Sequence, residues 1–168
     1  NAYLFEIHNH GYQKIDAASA PEKYLVVTNY ARSGESGKGA GYLRFQRASQ
    51  LFHSFPKSQV NFHTILSQFT RDVGHILLKY PSFSDLKNIP RKEDYWILTR
   101  DCINRSYTSA AVVIMGKEPS EPDSLATMWV IPGEPICAIA IPLWVESKTS
   151  PELLWKGNDA ALWQESFR

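Results

Sequence analysis

The sequence predicts an α+β fold, an antiparallel sheet with helices packed against it, and three observations carry that expectation. β-branched and aromatic runs bounded by turn residues occupy both ends of the chain, stretches with apolar residues three and four apart lie between them, and the order is strands, two helices, then strands. At 168 residues and 43% hydrophobic content, the chain can bury one sizeable core, so a single domain over residues 1–168 is expected.

Each element has its own reason. Residues 2–8 are apolar and aromatic, and Asn9-His10-Gly11 is a strong turn signal before Tyr12-Gln13-Lys14-Ile15-Asp16, which makes the first sixteen residues a β-hairpin. Tyr24-Leu25-Val26-Val27-Thr28-Asn29 reads as a third strand, with Asn29 presented at its end. Glycines at 34, 37, 39 and 41 then form a loop able to bring backbone close to whatever the strand end faces. Leu43, Arg47, Leu51 and Phe52 keep a helical spacing until Pro56.

Phe62, Ile65, Leu66, Phe69, Val73, Ile76, Leu77 and Tyr80 recur at threes and fours, predicting one long amphipathic helix over 61–80. Residues 81–91 are a polar loop bounded by proline, and Tyr95-Trp96-Ile97-Leu98 is a short apolar run of open type. Strands are expected over 109–115, 125–131 and 136–141, the last two joined as a hairpin by Pro132-Gly133-Glu134-Pro135. The tail from Pro151 carries Leu153, Leu154, Trp155, Leu162, Trp163 and Phe167 around Gly157-Asn158-Asp159, one or two short helices. No internal repeat or low-complexity segment interrupts this order.

Composition excludes several partners. Eighteen Lys and Arg against 17 Asp and Glu leave a net charge of +1, which gives no electrostatic reason to expect nucleic acid or an anionic membrane. The longest apolar stretch, residues 136–145, is far shorter than the ~20 residues of a membrane-spanning helix and contains Pro142. Binding is therefore expected in a pocket or on a patch. Cys102 and Cys137 are too few for a disulfide framework and lack metal spacing, so both are expected as core thiols, with one disulfide left open. His8 and His10 flank a turn at i, i+2 without a third ligand, and His53, His63 and His75 lie in helical sequence without an HExxH frame. No metal or cofactor is expected. Asn104-Arg105-Ser106 fits the glycosylation pattern formally, in a segment that reads as buried.

The order Thr28-Asn29, glycine loop, then Gly41-Tyr42-Leu43-Arg44-Phe45-Gln46-Arg47-Ala48 resembles the N-terminal-nucleophile hydrolases of the choloylglycine hydrolase and penicillin-forming acyltransferase group. Residues 1–9 (NAYLFEIHN) are similar to a strand of that family, and residues 103–114 with Thr127-Met128-Trp129-Val130 resemble its later strands. The likeness spans residues 1–147. It implies an αββα sandwich and an amide hydrolase or acyltransferase acting on linear, non-peptide C–N bonds through an N-terminal cysteine.

Carried over residue by residue, the likeness makes Asn29 the donor to the tetrahedral oxyanion and Arg44 the charge that favours a thiolate. Leu43 stands where the family has serine. Arg47, one turn on, is expected to be an ion-pair or packing residue. Tyr30 and Trp129 are the candidate substrate-binding residues, with Trp129 and Trp144 as walls of a core or pocket. Asn1 is no nucleophile and opens directly into strand-like sequence, so the resemblance implies the C-terminal part of a larger protein, inactive by itself. The implied partners are a small-molecule amide substrate and either the missing N-terminal portion or further copies of the chain. The rival reading is a noncatalytic α+β binding or assembly domain that keeps the scaffold.

Overall fold

A two-stranded antiparallel hairpin opens the fold, with β1 (Tyr3–His8) paired to β2 (Gly11–Asp16) from Tyr3↔Asp16 to His8↔Gly11. In the computed structural model, residues 2–30, 32, 34, 35, 37, 38, 41–79, 96–147, 149–154 and 161 are described. The connection is Asn9-His10, and Gly11 adopts φ 141°, a conformation that strains any residue with a Cβ. Phe5 stacks obliquely on Tyr12 at 5.7 Å, and the Lys14 ammonium lies 3.8 Å from the Tyr3 ring centroid. The hairpin the sequence predicts is therefore present.

The predicted third strand is not. Residues 24–28 carry no ladder partner among the described residues. The Val26 carbonyl accepts from the Arg32 guanidinium at 3.1 Å, and Tyr30 N–H turns back to the Thr28 carbonyl at 2.9 Å. A β-type sequence fits extended backbone, but a strand also needs a neighbour, and here one side chain and one backbone turn take two of the carbonyls a neighbour would use.

Helix α1 (Tyr42–Ser54) starts after Gly41, whose φ of 87° lets the chain turn into the helix without a side-chain cap. It stops where Phe55, preceding Pro56, is forced into extended backbone at φ −106°, ψ 138°. Its Phe52 packs edge-on against Phe69 at 4.9 Å and stacks on Tyr24 at 4.6 Å.

The second helix is much shorter than its periodicity predicts. Asn61 caps α2 (Phe62–Thr64) by accepting from Thr64 N–H at 3.0 Å, and the chain continues as a wide π-type turn, Ile65–Phe69. Thr70 N–H reaches back five residues to the Ile65 carbonyl at 3.0 Å. Helix geometry then ends because Asp72 and Gly74 are committed elsewhere. The Asp72 carboxylate receives Arg47, its carbonyl accepts Asn104 N–H at 2.9 Å, and a Cβ on Gly74 would collide with the Arg47 guanidinium. Val73 is buried, whereas Leu77 and Leu78 are exposed. Tyr80, the loop at 81–91, Tyr95 and the tail beyond Leu154, apart from Ala161, lie outside the described residues, as does part of the glycine loop. Trp96 to Thr99 form no regular element, and Glu152–Leu154 makes one 3-10 turn.

A three-stranded antiparallel sheet completes the fold, ordered β3 (Ala110–Met115), β4 (Thr127–Pro132), β5 (Ile141–Trp144). β3 and β4 match expectation, but β5 begins at Ile141 rather than Ile136. Residues 134–138 are held instead as a turn. Asn104 Oδ1 accepts Ile136 N–H at 3.0 Å, and Arg71 donates to the carbonyls of Pro135 and Ala138. The inner face of the sheet, with Ala111, Val113, Trp129 and Ile131, packs on Leu66 and Ala138. Its outer face carries Val112, Ile114 and Met128, all exposed. Two small antiparallel sheets with few helices make this an α+β protein, and no described helix is long and apolar enough to cross a membrane.

Candidate functional site

Arg44, Ala48 and Phe52 are spaced four apart on α1 and so share one face. That face, the extended run at 25–29, and Ile103 with Arg105 enclose an open cleft of about 580 Å³. Thr28 holds the run against the helix start by donating to the Gly41 carbonyl at 2.8 Å. The lining is apolar along Leu25, Val26, Val27, Ala48, Phe52 and Ile103, and polar at Thr28, Asn29, Arg44 and Arg105.

Asn29 and Arg44, fifteen residues apart in sequence, meet directly, with the guanidinium donating to Asn29 Oδ1. Gly41 makes this approach possible, since a Cβ there would strike both side chains. A guanidinium has only donors, so the contact fixes which end of the amide it holds and leaves Nδ2 as the outward donor. Nδ2 makes no hydrogen bond among the described residues, and Asn29 is exposed. The Arg44 side chain is itself only 12% exposed, and its nearest carboxylate among the described residues, Asp101, stands 3.8 Å away.

Arg47 behaves differently. It donates from Nε and Nη2 to the two Asp72 oxygens at 2.8 and 2.6 Å, and from Nη1 to Gln50 at 2.7 Å. The Asp72 hydrogen bonds hold its guanidinium above the ordinary range, against the opposing effect of burial. This is the ion-pair role the sequence suggested for it.

The remaining candidates are placed elsewhere. Tyr30 lies in an aromatic cluster at the start of α1, 5.0 Å from Phe45 and 5.5 Å from Tyr42, and does not line the cleft. Trp129 sits on the sheet, stacked on Phe62 at 5.8 Å with its Nε1 buried and unpartnered, and is also outside the cleft lining. Trp144 is half exposed at the end of β5 rather than a core wall. Both cysteines are free. Cys102 is buried as expected, its Sγ turned to the Val73 carbonyl at 3.2 Å, and burial pushes its thiol up to about 11. Cys137 corrects the expectation of two core thiols, because the turn that displaces β5 leaves it exposed. Neither thiol lines the cleft.

His8 and His10 are exposed at the hairpin turn, where His10 N–H donates to His8 Nδ1 at 3.2 Å. Asn104 is fully buried, donating to Glu134 at 2.7 Å, which leaves no surface amide to modify. Sequence reasoning missed Arg105 at the cleft and Asp101 beside Arg44. The only advance signal for Arg105 was a basic residue inside the Ile103-Asn104-Arg105-Ser106 segment, which periodicity does not single out, and Asp101 had none. Comparison with protein families, with curated proteins and with solved structures finds no match to this chain.

Proposed function

We propose that the cleft belongs to an amide hydrolase or acyltransferase of the N-terminal-nucleophile class, acting on linear, non-peptide C–N bonds. In this reading the chain is the C-terminal part of an αββα sandwich, and a cysteine on the preceding part of the polypeptide attacks the amide carbonyl. The observation that supports it most is the amide of Asn29 in the cleft lining, pinned through Oδ1 by Arg44 so that its NH2 group is left free to donate. A tetrahedral intermediate needs a neutral donor already in place, and a donor held by a fixed guanidinium requires no reorganisation as charge develops. Arg44 adds positive charge where a thiol must ionise.

The test uses the full polypeptide that carries the nucleophile. Asn29→Ala is expected to lower kcat by roughly a hundredfold to a thousandfold with KM nearly unchanged, because the bond strengthens only in the transition state. The 168-residue chain alone is expected to turn over no acyl amide, since a donor cannot replace a nucleophile. Turnover by this chain that disappears on replacing Cys102 or Cys137 would overturn the reading. A second reading, a noncatalytic assembly domain, is favoured by the exposed apolar face of Val112, Ile114 and Met128, which suits a second layer of protein, whether the missing portion or another copy. It predicts association without turnover.

A further inference from the structure

Arg105 is the odd arginine of this fold. Its side chain lines the cleft, its Nε is buried without a hydrogen-bond partner, and its guanidinium has no ion pair among the described residues. Its guanidinium carbon lies over the Tyr107 ring, 4.8 Å from the centroid, and no side-chain N–H of Arg105 finds an acceptor among the described residues. The other partly buried arginines among the described residues are satisfied. Arg47 holds Asp72, Arg71 holds the carbonyls of Leu66, Pro135 and Ala138, and Arg44 holds Asn29. A buried charged donor with no acceptor is costly, and native folds rarely keep one without a use for it.

We propose that the cleft binds a carboxylate carried on a short apolar stem, with the Arg105 fork receiving the carboxylate and Arg44 adding charge from across the cleft. A planar carboxylate accepts two parallel N–H bonds from the two terminal nitrogens of a guanidinium, which no acceptor among the described residues engages, whereas the buried Nε stays out of a ligand's reach. An apolar stem suits the apolar half of the lining, formed by Leu25, Val26, Val27, Ala48, Phe52 and Ile103, which a bare inorganic anion would leave unused. The inference rests on the acyl-amide reading for the chemistry of the rest of the substrate, making it an amide that bears a carboxylate on one of its two halves. Binding of the carboxylate itself does not depend on turnover.

The test is calorimetric titration of the intact chain with hexanoate, hexanamide and inorganic phosphate. Hexanoate is expected to bind at least tenfold tighter than either of the others. Arg105→Gln is expected to abolish the preference over hexanamide, and Arg105→Lys, which keeps the charge but not the fork, to retain part of it. Equal binding of hexanoate and hexanamide, phosphate binding as tight as hexanoate, or an undiminished preference in Arg105→Gln would each overturn the proposal. Circular dichroism checks the fold of each variant. Should Arg105→Gln unfold, the three wild-type affinities together with Arg105→Lys decide the matter. Because no turnover is measured, failure here is separable from failure of the acyl chemistry, which Asn29→Ala reports.

Discussion

Two arginines on the first turns of one helix, Arg44 and Arg47, have opposite surroundings. Arg47 closes a bidentate pair with Asp72 at 2.6 and 2.8 Å, while Arg44 touches a neutral amide and stands 3.8 Å from its nearest carboxylate among the described residues. The first is consumed by the fold, because Asp72 also ends the second helix and the Asp72 carbonyl anchors Asn104. The second leaves its charge directed at an open cleft. Neighbouring residues of one type on one helix can therefore divide the work, and what separates them is whether the fold supplies a full counter-charge.

The largest expected effect lies on the closed side of that comparison. Asp72→Ala leaves a partly buried guanidinium without its partner and is expected to cost about 3 kcal/mol, read from urea denaturation. Arg44→Ala removes the charge along with the contact and leaves behind a neutral amide and a partly exposed Asp101, so it is expected to cost less, about 1–2 kcal/mol by the same measurement, and a loss equal to that of Asp72→Ala would erase the distinction. Gly41→Ala comes next. A Cβ at φ 87° is strained and meets Asn29 and Arg44, so a loss of about 1–2 kcal/mol is expected.

The two thiols extend the comparison between closed and open sites. Cys137 is expected to react quickly with a disulfide reagent in the folded chain and Cys102 only after unfolding. Burial first, and the Asp72 charge second, raise the Cys102 thiol to about 11, above its unfolded value. The native state then keeps a proton that the unfolded chain releases. The resulting stability is complete below about pH 8.5 and declines as pH rises toward 11. The urea midpoint should fall over that window in the native sequence and fall less in Cys102→Ala. The smallest effect on stability, within about 0.5 kcal/mol, is expected for Ile114→Ser on the exposed sheet face. Light scattering should show weaker self-association, and unchanged association would remove the argument for an assembly surface there.

What the sequence made legible was whatever local chemistry decides. The hairpin announced itself through Asn9-His10-Gly11, α1 through its spacing and Pro56, and β3 and β4 through β-branched runs. The long helix failed because its apolar period continues past Phe69 while the polar residues in the same register, Asp72 and Gly74, serve Arg47 from another element. β5 slipped for a similar reason, the turn at 134–138 being fixed by Asn104 and Arg71 from far along the chain. At the site, motif order singled out Asn29 and Arg44 separately, whereas their direct contact and the place of Arg105 came only from tertiary structure.

The substitution that isolates the proposed donor role of Asn29, oriented by Arg44, is Asn29→Asp in a polypeptide that carries the proposed nucleophile. The change keeps the size of the side chain and gives Arg44 a stronger acceptor, so the fold and the contact are retained while the outward donor becomes an oxygen. Thermal stability is expected to hold or rise, and kcat to fall by at least the roughly hundredfold expected for Asn29→Ala. An Asn29→Asp variant that keeps the parent kcat would rule out the donor role, because the residue would then be a partner for Arg44 and nothing more.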